Sequence, residues 1–292
     1  MILRHTADRS GKLLSFLRRE LALSSTLVNR LKQQEAMFVN GRFVHTDFPV
    51  APGDEIAVLL EEPTPEYPAE EGPLDILYED EAVIAVDKPA GLMIHPSRSR
   101  NTGTLANPRA WYYAATGQKC AVHPVSRLDR DTFGVVLLAK HAHTHARLCA
   151  AHEAGAIEKT YLAAVWGRPP EESGVIDLPI ARLDPRGLLR GVRPDGQPSR
   201  TEYRLLRQEA HGSLVELHPR TGRTHQLRVH MAALGCPILG DPQYGTEESQ
   251  AWSLAHGLAW QQLCAFSLTF PHPLTGEEIR LTSRQTVLLP QD

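Results

Sequence analysis

At 292 residues the chain has room for one large domain, or for a large one beside a small one. A net charge of −3 at pH 7 excludes a simple polybasic tail protein, and four widely spaced cysteines with no CxxC pair argue against a disulfide frame. No apolar run approaches the roughly 18–20 residues that cross a bilayer, and no secretory leader opens the chain, so a cytoplasmic protein with reduced thiols is expected.

The charge is unevenly spread. Residues 1–60 carry a net +2, residues 61–80 hold eight acids and no base, and the remainder carries +3. Two mildly basic bodies joined by an acidic strap leave room for an anionic partner.

The first body, residues 1–60, reads as two short helices and a hairpin. Leu13, Leu14, Leu17 and Leu21 recur at helical spacing, and Ser24 or Ser25 can cap a second helix that turns Leu27, Val28 and Leu31 inward. In "MFVNGRFV" two β-prone runs flank Asn40-Gly41, a pair that tolerates positive φ and so predicts a tight hairpin. Arg18, Arg19, Arg30, Lys32 and Arg42 leave a basic surface, which taken alone is ordinary solubilising charge as readily as a contact for phosphate. Residues 61–73, "EEPTPEYPAEEGP", have almost nothing to bury and predict a semi-extended acidic linker.

From Leu74 to the end, short β-prone runs mix with helical ones without regular βαβ alternation, which predicts an α+β domain with a largely antiparallel sheet. "VIAVDKPAGLMIHP" continues a strand into an ordered turn carrying Lys88 and His95. In "SRLDRDTFG", Asp129 stands just before the apolar run "GVVLLAK", with Arg127 two residues upstream and Thr132 three downstream. Two readings are open for it: a surface turn with local ion pairs, or a carboxylate held for chemistry.

"HAHTHARLCAAHEAG" offers His141, His143, His145 and His152, but the segment predicts a short helix starting at Thr144 and ending at Gly155, on which the imidazoles do not converge. No metal is expected. "EKTYLAAVWG" reads as a strand whose alternation puts Lys159 and Tyr161 on one face, opposite Thr160 and Leu162. Residues 181–228 hold ten arginines against five acids, a bias that suits phosphate or carboxylate recognition. In "TGRTHQLRVHMAALGCPILGDPQYG", Leu227, Met231 and Leu234 form an inward stripe. Arg228 beside that stripe would be drawn inward and would need an anion, for which Asp129 is a candidate.

Taken together, "DKPAGLMIHP", "SRLDRDTFGVVLLAK", "EKTYLAAVWG" and the "TGRTHQLR…GDPQYG" stretch closely resemble the RluA-type pseudouridine synthases from about residue 75 to 288. The helix, helix, VNG hairpin and "PGDEIAV" strand in front resemble the S4 RNA-binding domain. The resemblance implies a pseudouridine synthase fold, α+β with a curved, mixed and mostly antiparallel sheet flanked by helices, behind a small S4-like α/β domain. It implies Asp129 as the catalytic aspartate, Arg228 as its partner and Tyr161 as the active-site tyrosine. Arg127, Thr132, Lys159, Leu227, Arg223 and His225 would meet the substrate, and Arg18, Arg19, Arg30, Lys32 and Arg42 would meet RNA on the S4-like unit. Two positions depart from the family pattern: Ser126 replaces its histidine and Phe133 its serine.

The implied reaction breaks the N1 glycosidic bond of uridine and rejoins the ring through C5. It needs no cofactor, in keeping with the lack of nucleotide-binding motifs. Large-subunit rRNA is the expected substrate and a monomer the expected state, with tRNA as the alternative target and a non-catalytic S4-type RNA-binding protein as the rival class.

Overall fold

The first helix, Leu13–Arg19, buries Leu13, Phe16 and Leu17 and leaves Leu14 exposed. The second, Ser25–Gln33, is capped by Ser24, whose hydroxyl accepts from the Leu27 N–H at 3.1 Å. This computed structural model describes residues 1–63, 67–96, 101–184 and 189–291, so residues 64–66 of the linker and Arg186 of the arginine-rich stretch lie outside the described residues. Asn40 and Gly41, at φ 50° and 77°, close the hairpin between strands Met37–Val39 and Arg42–Phe43. A strand absent from the sequence reading, Ile2–Thr6, pairs with Glu55–Leu59, and the four strands form one antiparallel sheet. Its five residues show too short an alternation to stand out. One apolar core, running from Leu3 to Leu60, is built by this unit, with Leu274 of the large body packed against it.

The described residues of the acidic strap are held by contacts with both bodies. Glu61 pairs with Lys119 at 3.0 Å. Glu62 is almost fully buried, accepts from the Ala142 N–H at 2.8 Å and pairs with Arg30 at 3.4 Å. Tyr67 packs edge-on against His95, and Asn107 donates to the Pro68 carbonyl. Acids beside two mildly basic bodies find cations and N–H groups on both, which holds the strap down.

The large body is α+β, built on a mixed ten-stranded sheet. Eight strands run in the order Ser173–Asp177, Arg200–Gln208, Gly212–Pro219, Glu158–Trp166, Leu263–Pro271, Phe133–Ala139, Val83–Lys88 and Ile76–Glu79. His123–Pro124 adds to Phe133–Ala139, and Glu278–Thr282 adds to Leu263–Pro271. Among the described residues every pairing in this sheet is antiparallel except that of Phe133–Ala139 with Leu263–Pro271, which is parallel. All seven residues of Phe133–Ala139 are buried, which explains an apolar run with no polar alternation. Helices Ala106–Ala115, Ala142–Glu153, Gln226–Ala233 and Glu247–Ala255 flank the sheet. The histidine-rich helix begins at Ala142, two residues before the expected Thr144 cap. Thr144 is buried inside it, donating to the carbonyls of Ala82 and His141.

Candidate active site

Phe133–Ala139 is entered by a loop that carries Arg127, Leu128 and Asp129. Gly134 lets this loop lie close to the neighbouring strand: at φ 106°, a Cβ there would stand 2.4 Å from the Ala265 carbonyl oxygen. Two buried polar groups hold the loop from behind. Gln261 donates to the Thr132 hydroxyl at 2.5 Å. Lys88, fully buried, donates to the carbonyls of Pro89, Leu92 and Arg130 at 2.8–2.9 Å, tying the "DKPAG" turn to the residue after Asp129. Burial pulls the Lys88 ammonium down to about 8, against the attraction of Asp131 and Asp129.

Asp129 opens onto a cavity of about 680 Å³, whose walls also include Ser126, Arg127, Lys159, Tyr161, Arg223, His225, Leu227 and Arg228. Its carboxylate is 29% exposed and accepts from Arg228 Nη1 at 3.2 Å. The pairing drawn from the apolar stripe is therefore present, across 99 residues of chain.

Arg228 has a second, tighter carboxylate. Its Nε and Nη2 donate to Asp241 at 2.7 and 2.8 Å, and Nη2 also donates to Gln243 at 2.7 Å. Asp241 is fully buried and accepts further from the N–H groups of Gln243 and Tyr244. The Tyr244 ring lies 4.8 Å from the guanidinium. Gly240, at φ 71°, passes so close to the Trp260 carbonyl that a Cβ would stand 2.2 Å from it, which delivers Asp241 beneath the arginine. Asp241, Gln243 and Tyr244 belong to the "GDPQYG" turn, and the sequence reading missed their role. The signal available was an acid directly after a glycine in a stretch already rich in matching residues.

Tyr161 sits at a bulge. The strand Glu158–Trp166 shifts register between Thr160 and Tyr161 against Leu263–Pro271, so strict alternation fails and Lys159, Thr160 and Tyr161 all line the cavity. Burial, and then the nearby Asp129 charge, raise the Tyr161 hydroxyl well above its usual value and keep it a neutral phenol. Burial pulls the Lys159 ammonium the other way, below its usual range.

His225 adopts the left-handed conformation, φ 59°, at the start of helix Gln226–Ala233. The turn before it is braced by the buried Gln226, which accepts from the Arg223 N–H and Thr221 hydroxyl and donates to the Arg200 carbonyl. His225 Nε2 is 3.9 Å from Asp129 Oδ2, and His225 Nδ1 is 2.8 Å from the Tyr244 hydroxyl.

The remaining expected contacts divide. Leu227 is a buried part of the wall, and Arg127 and Arg223 are exposed at it, Arg223 donating to the Pro198 carbonyl. Thr132 reaches the wall but is 2% exposed, and its hydroxyl is taken by Gln261, so it holds the loop instead of facing the opening. Of the two departures from the family pattern, Ser126 lines the cavity while Phe133 is buried against Leu162, Leu239 and Cys264. On the small unit, Arg19, Lys32 and Arg42 are exposed, Arg18 donates to the Leu23 carbonyl, and Arg30 is engaged with Glu62. The histidines of helix Ala142–Glu153 scatter: His143 is buried, and His145 contacts the Pro124 carbonyl and Cys149.

Comparison with known proteins places this architecture. Residues 82–233 match the family model described as RNA pseudouridylate synthase. The RNA pseudouridine synthase YjbO of Bacillus subtilis is 37% identical over 276 residues, covering 94% of each chain. The ribosomal large subunit pseudouridine synthase D of Zymomonas mobilis is 36% identical over 228 residues, covering 75% of this chain and 70% of its own. The solved structure of human RNA pseudouridylate synthase domain containing 1 superposes with a TM-score of 0.61 at 23% identity, covering 76% of this chain and 93% of its own.

Proposed function

The chain belongs to the RNA pseudouridylate synthase family, isomerases that convert uridine to pseudouridine in RNA, and we propose that Asp129 is the residue on which its reaction turns. The observation that carries this reading is the carboxylate on the cavity wall, held by an arginine that is itself buried and anchored. The 5% exposed guanidinium faces the carboxylate directly, and a carboxylate so placed is the group that attack at C1′ or removal of the 2′ proton requires. Tyr161 provides a ring for the uracil to stack on and a neutral hydroxyl beside it. The uridine must leave its stack to enter, a cost of a few kcal/mol that backbone contacts offset. Arg127, Lys159 and Arg223 on the walls supply cations for those contacts.

The proposed substrate is large-subunit rRNA, supported by the likeness to the Zymomonas mobilis enzyme of that name. The proposed S4-like character of residues 1–60 rests on the two helices, the hairpin and the exposed Arg19, Lys32 and Arg42.

Purified protein incubated with cellular RNA tritiated at uracil C5 should release tritium, and Asp129→Asn should abolish release while RNA binding persists. Activity retained in that variant would show that the carboxylate is misassigned. Pseudouridine mapping in rRNA and tRNA, with and without the gene, decides the target: sites lost only from tRNA would overturn the rRNA assignment.

A further inference from the structure

His225 is a further polar group beside Asp129, and its hydrogen bonds favour one tautomer. The backbone N–H of Arg190 donates to the Tyr244 oxygen at 3.0 Å. The Tyr244 hydroxyl proton is then best placed toward His225 Nδ1, 2.8 Å away. A nitrogen that accepts carries no proton, and this arrangement favours the imidazole proton on Nε2, the nitrogen 3.9 Å from Asp129 Oδ2, at the cavity wall. Burial lowers the imidazole's pKa. The charges of Arg228 and Arg190 push the same way, against Asp129 and Asp241, which favours the neutral ring. The backbone adds an independent sign, because a non-glycine residue held left-handed persists only where its surroundings impose it, and such residues gather at active sites.

Resting on the assignment of Asp129, we propose that His225 is a fixed-tautomer hydrogen-bond donor to the departing uracil, and that Tyr244 is the positioning residue that sets its tautomer. When the C1′–N1 bond breaks, its electron pair stays on the base, which becomes an anion with charge spread over N1, O2, O4 and C5. O2 is bonded to C2, the atom next to N1, so a donor beside the carboxylate that serves the sugar can reach it. His225 transfers no proton in this step; the electron deficiency left at C1′ is met by Asp129, which either bonds to C1′ and is displaced when C5 attacks, or takes the 2′ proton and returns it. His225 Nε2–H stabilises the anion until C5 bonds to C1′, C5 loses its proton and N1 gains one. A neutral donor suits this task, since a full cation 3.9 Å from Asp129 would compete for its charge.

The test is a set of substitutions at His225 read by tritium release under saturating and limiting RNA. Gln places an amide N–H near the position of Nε2, whereas Asn places one near Nδ1, within reach of Tyr244 only. The expected result is that His225→Ala and His225→Asn lower kcat about 10²–10³-fold with KM little changed, as loss of one donor to a developing anion does elsewhere. His225→Gln should recover a large part of that loss. Nitrogen-15 NMR of labelled histidine in the wild type should show Nε2 protonated and Nδ1 bare, and Tyr244→Phe should abolish that bias. Full kcat in His225→Ala, equal recovery by Asn and Gln, a loss confined to KM, or an Nδ1–H tautomer in the wild type would each overturn the proposal. Wild-type activity separates the two claims. If the wild type is active and His225→Ala equally so, only the donor falls; if the wild type releases nothing, the Asp129 reading falls and takes the donor with it.

Discussion

Arg228 makes four polar contacts, and three of them go to residues other than Asp129. Its position is therefore set by the "GDPQYG" turn, and Asp129 can change during reaction without the guanidinium losing its place. The two carboxylates should respond differently to the same change. Asp241→Asn removes the charge from a fully buried partner and should cost about 3–5 kcal/mol in stability, along with activity. Asp129→Asn alters contacts of 3.2 and 3.9 Å at a 29% exposed group and should leave thermal denaturation nearly unchanged. Melting of Asp241→Asn at the wild-type temperature would show that Arg228 is anchored by something else. Residues of this kind differ in how far sequence discloses them. Asp129 and Arg228 each stand at the edge of an apolar run, where a charge calls for a partner. Asp241 stands in a polar turn, and its burial depends on Gly240 meeting the Trp260 carbonyl, a tertiary contact with no local signature.

At the scale of elements, the loop bearing Asp129 is placed by the parallel pairing between Phe133–Ala139 and Leu263–Pro271. Gly134 is what lets the two chains approach there. Gly134→Ala adds both a collision with the Ala265 carbonyl and a disfavoured φ, and should destabilise by about 3 kcal/mol or more while displacing the loop. Gly276→Ala is the control: φ is 77° but nothing lies within 4 Å, so only backbone strain of about 1 kcal/mol is expected. Chemical denaturation of both variants checks this, and similar losses would remove the close approach as the cause. The strands Phe133–Ala139 and Glu158–Trp166 and the helices Ala142–Glu153 and Gln226–Ala233 followed from composition and period, whereas Leu263–Pro271 did not. The bulge at Thr160/Tyr161 did not, because it comes from fitting Glu158–Trp166 to the register of a strand a hundred residues away. It is the bulge that brings Thr160 to the cavity wall together with Lys159 and Tyr161.

Across the whole molecule, acid should undo the fold in two stages, because the buried ionisable groups near the junction of the two bodies titrate in separate windows. Burial lowers His141 and His143 to about 4, whereas an unfolded histidine titrates near 6.5. The unfolded chain then binds more protons than the native one between those values. Stability is complete above 6.5 and falls as pH drops toward 4. Glu62 follows a lower window. Burial alone would raise its pKa, but His123, the Ala142 N–H and Arg30 outweigh this and bring it to about 2, against 4.5 when unfolded. Its contribution is present above 4.5 and is lost as pH falls toward 2. Glu62→Gln should therefore weaken the protein at neutral pH and flatten the lower window, leaving the upper one intact. His143→Gln should soften the upper window and spare the lower. Urea midpoints measured from pH 8 to 2 for the three proteins check both, and a single acid transition unaffected by either change would show that the two windows do not control acid stability. Since Glu62 joins Arg30 of the small unit to His123 and Ala142 of the large one, the lower window also reports how firmly the basic small unit is held beside the cavity.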